Sequence, residues 1–257
     1  MRIALVQTNI YWEDIQANIS SFEEKIWKMD EVVDIIILPE MFNTGFTMNA
    51  ETQSEPPNLT THKWMKQMAA QTMAVVTGSY IVRDKGKYYN RLLWVQPDGI
   101  TFKYDKRHVF TLAGEEKVYE KGKEKLIVEW KGWRFCPMIC YDLRFPVWSR
   151  NSKNEPYDCA IYVANWPQIR TVAWNSLLKA RAIENVCYTI GVNRIGTDNN
   201  GNYYQGDSSA YDFQGNSMTD LSDNEEILFV DLDKNQLNDF RQKFPALADG
   251  DNFELKA

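Results

Sequence analysis

Residues 88–106, YYNRLLWVQPDGITFKYDK, read as two strands joined by a turn at Pro97-Asp98-Gly99. The aromatic and aliphatic residues favour extended backbone, while Pro-Asp-Gly supplies the fixed φ and the glycine that a tight reversal uses. Residues 126–135, LIVEWKGWRF, read as another hairpin, turning near Lys131-Gly132. Antiparallel neighbours of this kind do not belong to one open parallel sheet, whose strands are joined by long crossovers. The stretch therefore points to a pair of stacked sheets with helices covering them.

On either side of the hairpins the pattern changes. Short apolar, β-branched runs at Ile3–Val6, Val33–Leu38, Ala74–Val76, Ile127–Val128, Ala160–Val163 and Ile227–Val230 fit strands buried on both faces. Residues 14–29 place Ile15, Ile19, Phe22 and Ile26 at helical spacing, and residues 59–73 and 172–186 repeat that pattern. With 257 residues, 44% of them hydrophobic and 25% charged, and with no linker or repeat to divide them, residues 1–257 are expected to form one α/β domain.

The formal net charge is −6 and the 29 Lys and Arg residues are scattered, which argues against a nucleic-acid surface and leaves small molecules as the expected partners. The apolar stretch before Gln7 is too short for a secretion signal or a membrane span, so a cytoplasmic protein is expected. Four cysteines in a chain of this length do not resemble a disulfide framework. Cys136 and Cys140 are four apart, but no second Cys or His pair with ligand spacing accompanies them, so neither a metal nor another cofactor is expected.

Three segments bring reactive residues to strand ends. In DIIILPEMF, residues 34–42, an apolar strand runs into Glu40, where lost hydration makes a carboxylate a better proton acceptor; the alternative is a turn cap or a surface ion pair. In FKYDKRHVF, residues 102–110, Lys106 follows a strand and can meet a developing oxyanion with its ammonium group, or be an ordinary solvated charge; His108 reads as an ordered structural histidine beside Phe110. In WRFCPMICYDLRFP, residues 133–146, a strand delivers Cys140 to a turn whose backbone N–H groups can lower a thiol pKa and bind an oxyanion. The competing reading of Cys140 is an inert core thiol, the class to which Cys159 and Cys187 are assigned.

Taken together, LPEMF, YDKRHVF and ICYDLRFP, with AGEEKVYEKG, VANWP and LLKARAIENVCYTIGVNRIG, resemble the nitrilase or carbon–nitrogen hydrolase superfamily over nearly the whole chain. The resemblance implies an αββα four-layer sandwich, paired into a homodimer, and is best with the omega-amidase branch, which hydrolyses the terminal amide of short dicarboxylate monoamides such as 2-oxoglutaramate. It implies Glu40 as general base, Lys106 as the electrophile facing the tetrahedral intermediate, and Cys140 as the nucleophile that forms a thioester. The family's second glutamate falls at Glu115, with Glu116 adjacent, and its implied role is to hold Lys106 charged.

For substrate binding, Arg144 is the nearest cation in sequence for a far carboxylate, against a salt bridge to Asp142. Phe42, Phe46, Tyr141 and Trp166 are candidates for an apolar wall. A nitrilase or an N-carbamoyl-amino-acid hydrolase would use the same residues. A binding module with a redox-reactive thiol is the reading from another class, and the presence of Glu40, Lys106 and Cys140 together makes it unattractive.

Overall fold

In the computed structural model, which describes residues 1–251, 253 and 255, side chains along β1 (Arg2–Gln7) alternate between two cores. Ile3 and Leu5 join one apolar cluster, and Ala4 and Val6 join the other. The sheet around β1 contains β2 (Ile35–Ile37), β3 (Val75–Asp84), β4 (Lys87–Val95), β5 (Thr101–Asp105) and, from late in the chain, β13 (Glu226–Asp231). Its spatial order is β13-β1-β2-β3-β4-β5, with β1, β2 and β3 parallel and the other pairs antiparallel.

The second sheet holds β6 (Val128–Trp130), β7 (Trp133–Ile139), β8 (Cys159–Ala164), β9 (Tyr188–Asn193) and β12 (Ser209–Tyr211), in the order β12-β9-β8-β7-β6. Here β7, β8 and β9 are parallel. A separate ribbon pairs β10 (Ile195–Thr197) with β11 (Tyr203–Gln205). The two large sheets meet face to face where Trp94 of β4 packs on Phe135 of β7, with ring centroids 5.1 Å apart.

Helices close both outer faces. α1 (Ile15–Trp27) begins at Asp14, whose side chain accepts the N–H of Ala17. The one-turn α2 (Ala50–Gln53) precedes α3 (Thr60–Thr72). Ile19, Phe22 and Ile26 of α1 and Trp64, Met65 and Met68 of α3 cover Ala4, Val6, Ile36 and Val76. Each large apolar side chain so buried contributes about 1.5–3 kcal/mol before entropy is counted.

On the second sheet, one-turn α4 (Pro146–Ser149) leads to β8, and α5 (Thr171–Asn185) lays Trp174, Leu178 and Ala182 on the sheet. Gly191 of β9 permits the approach, since a Cβ there would stand 2.4 Å from Leu178 Cδ1. Leu237 of α6 (Lys234–Lys243) joins the same cluster. The layers run helix, sheet, sheet, helix, as the αββα expectation has it. β3 extends well beyond Val76, and its turn into β4 uses Lys85 and Gly86, both at positive φ.

Candidate active site

The C-terminal ends of β2 and β5 in one sheet, and of β7 and β8 in the other, open on the same edge of the sandwich. β2 continues through Leu38 and Pro39 to Glu40, which is 0% exposed. Met41 then turns the chain with φ +43°, donating its N–H to Ser79 Oγ at 2.9 Å. Lys106 follows β5, and its carbonyl accepts the N–H of Gly122 at 2.8 Å. Only glycine fits that crossing, because a Cβ on residue 122 would lie 1.9 Å from the Asp105 carbonyl oxygen.

Cys140 follows β7 with φ +45°, a left-handed conformation that costs a non-glycine residue about 1–2 kcal/mol. Asp142 secures the turn, accepting the N–H groups of Ile139 at 3.0 Å and His108 at 2.9 Å. It also accepts Tyr104 Oη at 2.7 Å and lies 2.8 Å from His108 Nδ1. His108 stacks on Phe145 with a centroid distance of 3.7 Å, so it is built into this turn and its ring partner is Phe145, not Phe110.

Lys106 Nζ lies 2.9 Å from Glu40 Oε1 and 3.0 and 2.9 Å from the two oxygens of Glu115. The three side chains are 0–1% exposed. Asn90 donates to Glu40 Oε1 at 2.8 Å, and the Asn165 N–H donates to Glu40 Oε2 at 2.8 Å. Cys140 closes the group, its thiol directed at the Asn165 carbonyl oxygen at 4.0 Å.

Burial pushes the Cys140 thiol well above its ordinary pKa, and Glu40 pushes it further, against a smaller opposing pull from Lys106. This corrects the expectation that backbone N–H groups hold the thiol low: a thiol enclosed beside a carboxylate stays protonated. Burial pulls Lys106 down, but Glu115 and Glu40 outweigh it and the ammonium is held above its usual range. It therefore stays charged through neutral pH. Glu115 is raised by burial and by Glu40 against the opposing effect of Lys106. A protonated thiol with a carboxylate to receive its proton and a fixed ammonium alongside is equipped for attack on an acyl carbon.

Above the thiol is a cavity of about 630 Å³, with Lys106 and Cys140 in its lining. Of the residues expected to bind substrate, Phe46, Tyr141, Arg144 and Trp166 line it. Phe42 does not: it is 0% exposed and packed between Phe22 and Trp64 beneath the helices of the first sheet. The strand-end turn at Met41 sends residue 42 back into the core, a reversal that the apolar character of Phe42 could not reveal. Arg144 lies over the Trp166 ring at 4.9 Å. It makes no salt bridge to Asp142, whose oxygens are taken by Tyr104, His108 and Ile139. Among the described residues no cluster of His, Cys, Asp and Glu could hold a metal ion.

The sequence matches carbon–nitrogen hydrolases over residues 2–242. The chain belongs to the carbon–nitrogen hydrolase family. A relative in Yersinia enterocolitica, the omega-amidase YafV, is 43% identical over 256 residues, covering 99% of this chain and 98% of its own. A 2-oxoglutaramate amidase of Bacillus subtilis is 30% identical, with 96% of each chain covered. The crystal structure of XC1258 from Xanthomonas campestris, a CN-hydrolase superfamily protein with an arsenic adduct in its active site, superposes with a TM-score of 0.97 at 41% identity. It covers 100% of this chain and 99% of that one.

Within this carbon–nitrogen hydrolase, Glu115 and Glu116 are separated by burial: Glu115 grips Lys106, whereas Glu116 is exposed. Glu115→Gln is expected to lower turnover by about 100-fold, because the ammonium loses one of its two fixed anions. Glu116→Gln should stay within about twofold of wild type, as a surface change does. Equal losses in steady-state assays of the two variants would remove the distinction, and a larger loss in Glu116→Gln would reverse it. Asn90 and Asn165 were not singled out from sequence. Asn90 stands beside Arg91 in the polar half of β4 and carries no signal that sets it apart, while the part played by Asn165 depends on how the two sheets meet.

Proposed function

We propose that the protein is an omega-amidase, hydrolysing the terminal amide of short dicarboxylate monoamides such as 2-oxoglutaramate. The observation that carries this is the buried Glu40–Lys106–Glu115 group against Cys140, at the base of a cavity whose wall holds Arg144, which has no ion-pair partner among the described residues. The names of the two curated relatives support the same reading.

Cys140 attacks the amide carbon while its proton passes to Glu40. The S–C bond forms as the carbonyl becomes an oxyanion, met by the Lys106 ammonium and the N–H of Tyr141. The C–N bond then breaks, ammonia leaves with a proton delivered from the Glu40 and Glu115 side, and an acyl thioester remains. Water attacks the thioester as Glu40 takes its proton, the acid departs and the thiol is restored. Glu115 keeps Lys106 charged throughout. Arg144 receives the far carboxylate, and Phe46, Tyr141 and Trp166 form the wall that selects a short chain. Neither a metal nor an organic cofactor enters this scheme.

We take the working form to be a cytoplasmic homodimer that does not engage nucleic acid; among the described residues no helix is long and apolar enough to cross a membrane. The test is ammonia release from a panel of dicarboxylate monoamides, nitriles and carbamoyl amino acids. The monoamides are expected to be turned over fastest. A nitrile hydrolysed faster than every amide would overturn the reading.

A further inference from the structure

Arg144 shares its cavity with a second guanidinium, that of Arg170. Arg144 rests on the face of Trp166, and Arg170 rests on the face of Phe110 at 5.3 Å. The Trp166 indole N–H donates to the Arg170 carbonyl oxygen at 2.8 Å, which joins the two stacks. Stacking occupies the flat face of a guanidinium and leaves its N–H edge for an anion.

Among the described residues, neither arginine has a carboxylate within ion-pairing distance. Glu13, which lines the same cavity, is held away from ion pairing with either arginine by two neutral donors, accepting Thr47 Oγ1 at 2.5 Å and Asn49 Nδ2 at 3.2 Å. The third cation, Lys106, is matched by Glu40 and Glu115. Two unmatched positive charges in one recess repel each other, and that cost is relieved when an anion enters. Phe110, which carries Arg170, packs edge-on against Tyr141 at 4.9 Å, one residue from the thiol. An anion held there shares the recess that Cys140 lines.

We propose that Arg170 is a second carboxylate-binding residue, closing with Arg144 on the anionic end of the acyl group, and that the pair restricts the enzyme to amides of carboxylate-bearing acids. This rests on the reading of the site as an amidase for such compounds. The carboxylate has enough lone pairs for both guanidinium edges.

The test compares kcat/KM for 4-carbamoylbutanoate and for pentanamide, a neutral amide of equal chain length, in wild type, Arg144→Ala, Arg170→Ala, Arg170→Lys and the Arg144→Ala/Arg170→Ala double variant. The alanine variant keeps the backbone carbonyl that anchors Trp166, and an unchanged melting temperature checks that the fold is intact. The carboxylated-to-neutral ratio is expected to fall about 100-fold in Arg170→Ala and less in Arg170→Lys. The double variant should lose less than the product of the single losses, because both residues grip one group. An unchanged ratio, or equal losses on both substrates, overturns the proposal. Wild-type protein that releases no ammonia from any dicarboxylate monoamide would instead overturn the amidase reading itself.

Discussion

Cys140→Ala is expected to release no ammonia above background from any amide that the wild-type protein hydrolyses, a loss of about four orders of magnitude or more. Amides resist water at neutral pH, and nothing left in the site replaces the sulfur: the ammonium has no free electron pair, and the Glu40 and Glu115 carboxylates, both held by Lys106, are far weaker nucleophiles than a thiolate. The same position makes a second, opposite statement about stability. Cys140 holds φ +45°, where any Cβ is strained and glycine is not. Cys140→Gly should therefore be as inactive as Cys140→Ala yet melt at a higher temperature, the difference corresponding to about 1 kcal/mol. Activity assays and thermal melts of the two variants check both parts. Residual turnover within tenfold of wild type would remove Cys140 from the chemistry, and a lower melting point for the glycine variant would contradict the strain.

Glu40→Gln is expected to reduce turnover by about 10²–10⁴-fold, the range associated with a general base. The change is nearly isosteric, but an amide cannot take the thiol proton, and its NH₂ would face donors from Lys106, Asn90 or Asn165. The sign of the accompanying pKa change follows from the charges. In the wild type, burial and then the Glu40 carboxylate raise the thiol pKa, while Lys106 lowers it. Removing the negative charge leaves the ammonium less opposed, so the thiol of Glu40→Gln should titrate at a lower pH than that of wild type. Iodoacetamide labelling of Cys140 followed across pH reads this directly: the profile moves to the acidic side even as ammonia release collapses. A profile moved to the alkaline side, or full activity in the variant, would remove Glu40 as the proton acceptor.

Much of this architecture was readable because the chain advertises it locally. The hairpin at residues 88–106 forms as β4 and β5, with Arg91 opposite Asp105 and Val95 opposite Thr101. The Lys131-Gly132 turn also lies where the apolar runs on either side demand it. The three helical patterns end within two residues of α1, α3 and α5. What escaped were elements that depend on distant partners. The long β3 reads as ending at Val76 because Thr77, Gly78 and Ser79 lack β-branched apolar character; pairing with β4 and burial beneath the Glu40 turn keep them extended. The three-residue strands β10, β11 and β12 have too few residues to set a period.

The candidate site divides in the same way. Glu40 and Cys140 stand at the ends of apolar runs and Lys106 follows the strand with alternating Phe102 and Tyr104, and their strand-end positions were visible from those patterns. Phe42 was misplaced because a positive φ at Met41 cannot be read from a methionine. Asn165 and Arg170 owe their importance to what faces them, respectively Glu40 from the other sheet and the ring of Phe110.

Glu40 and Lys106 hang from one sheet, Cys140 from the other, and the Trp94–Phe135 contact is part of what spaces them. The sandwich thus works as a calliper whose jaws are the strand ends and whose spacer is ordinary hydrocarbon. Reacting groups misplaced by about 1 Å can forfeit about 100-fold in rate. Wear in the spacer would be registered at the jaws while the frame still held together, so the aromatic filling between the sheets belongs to the tolerance of the chemistry as much as to the stability of the fold.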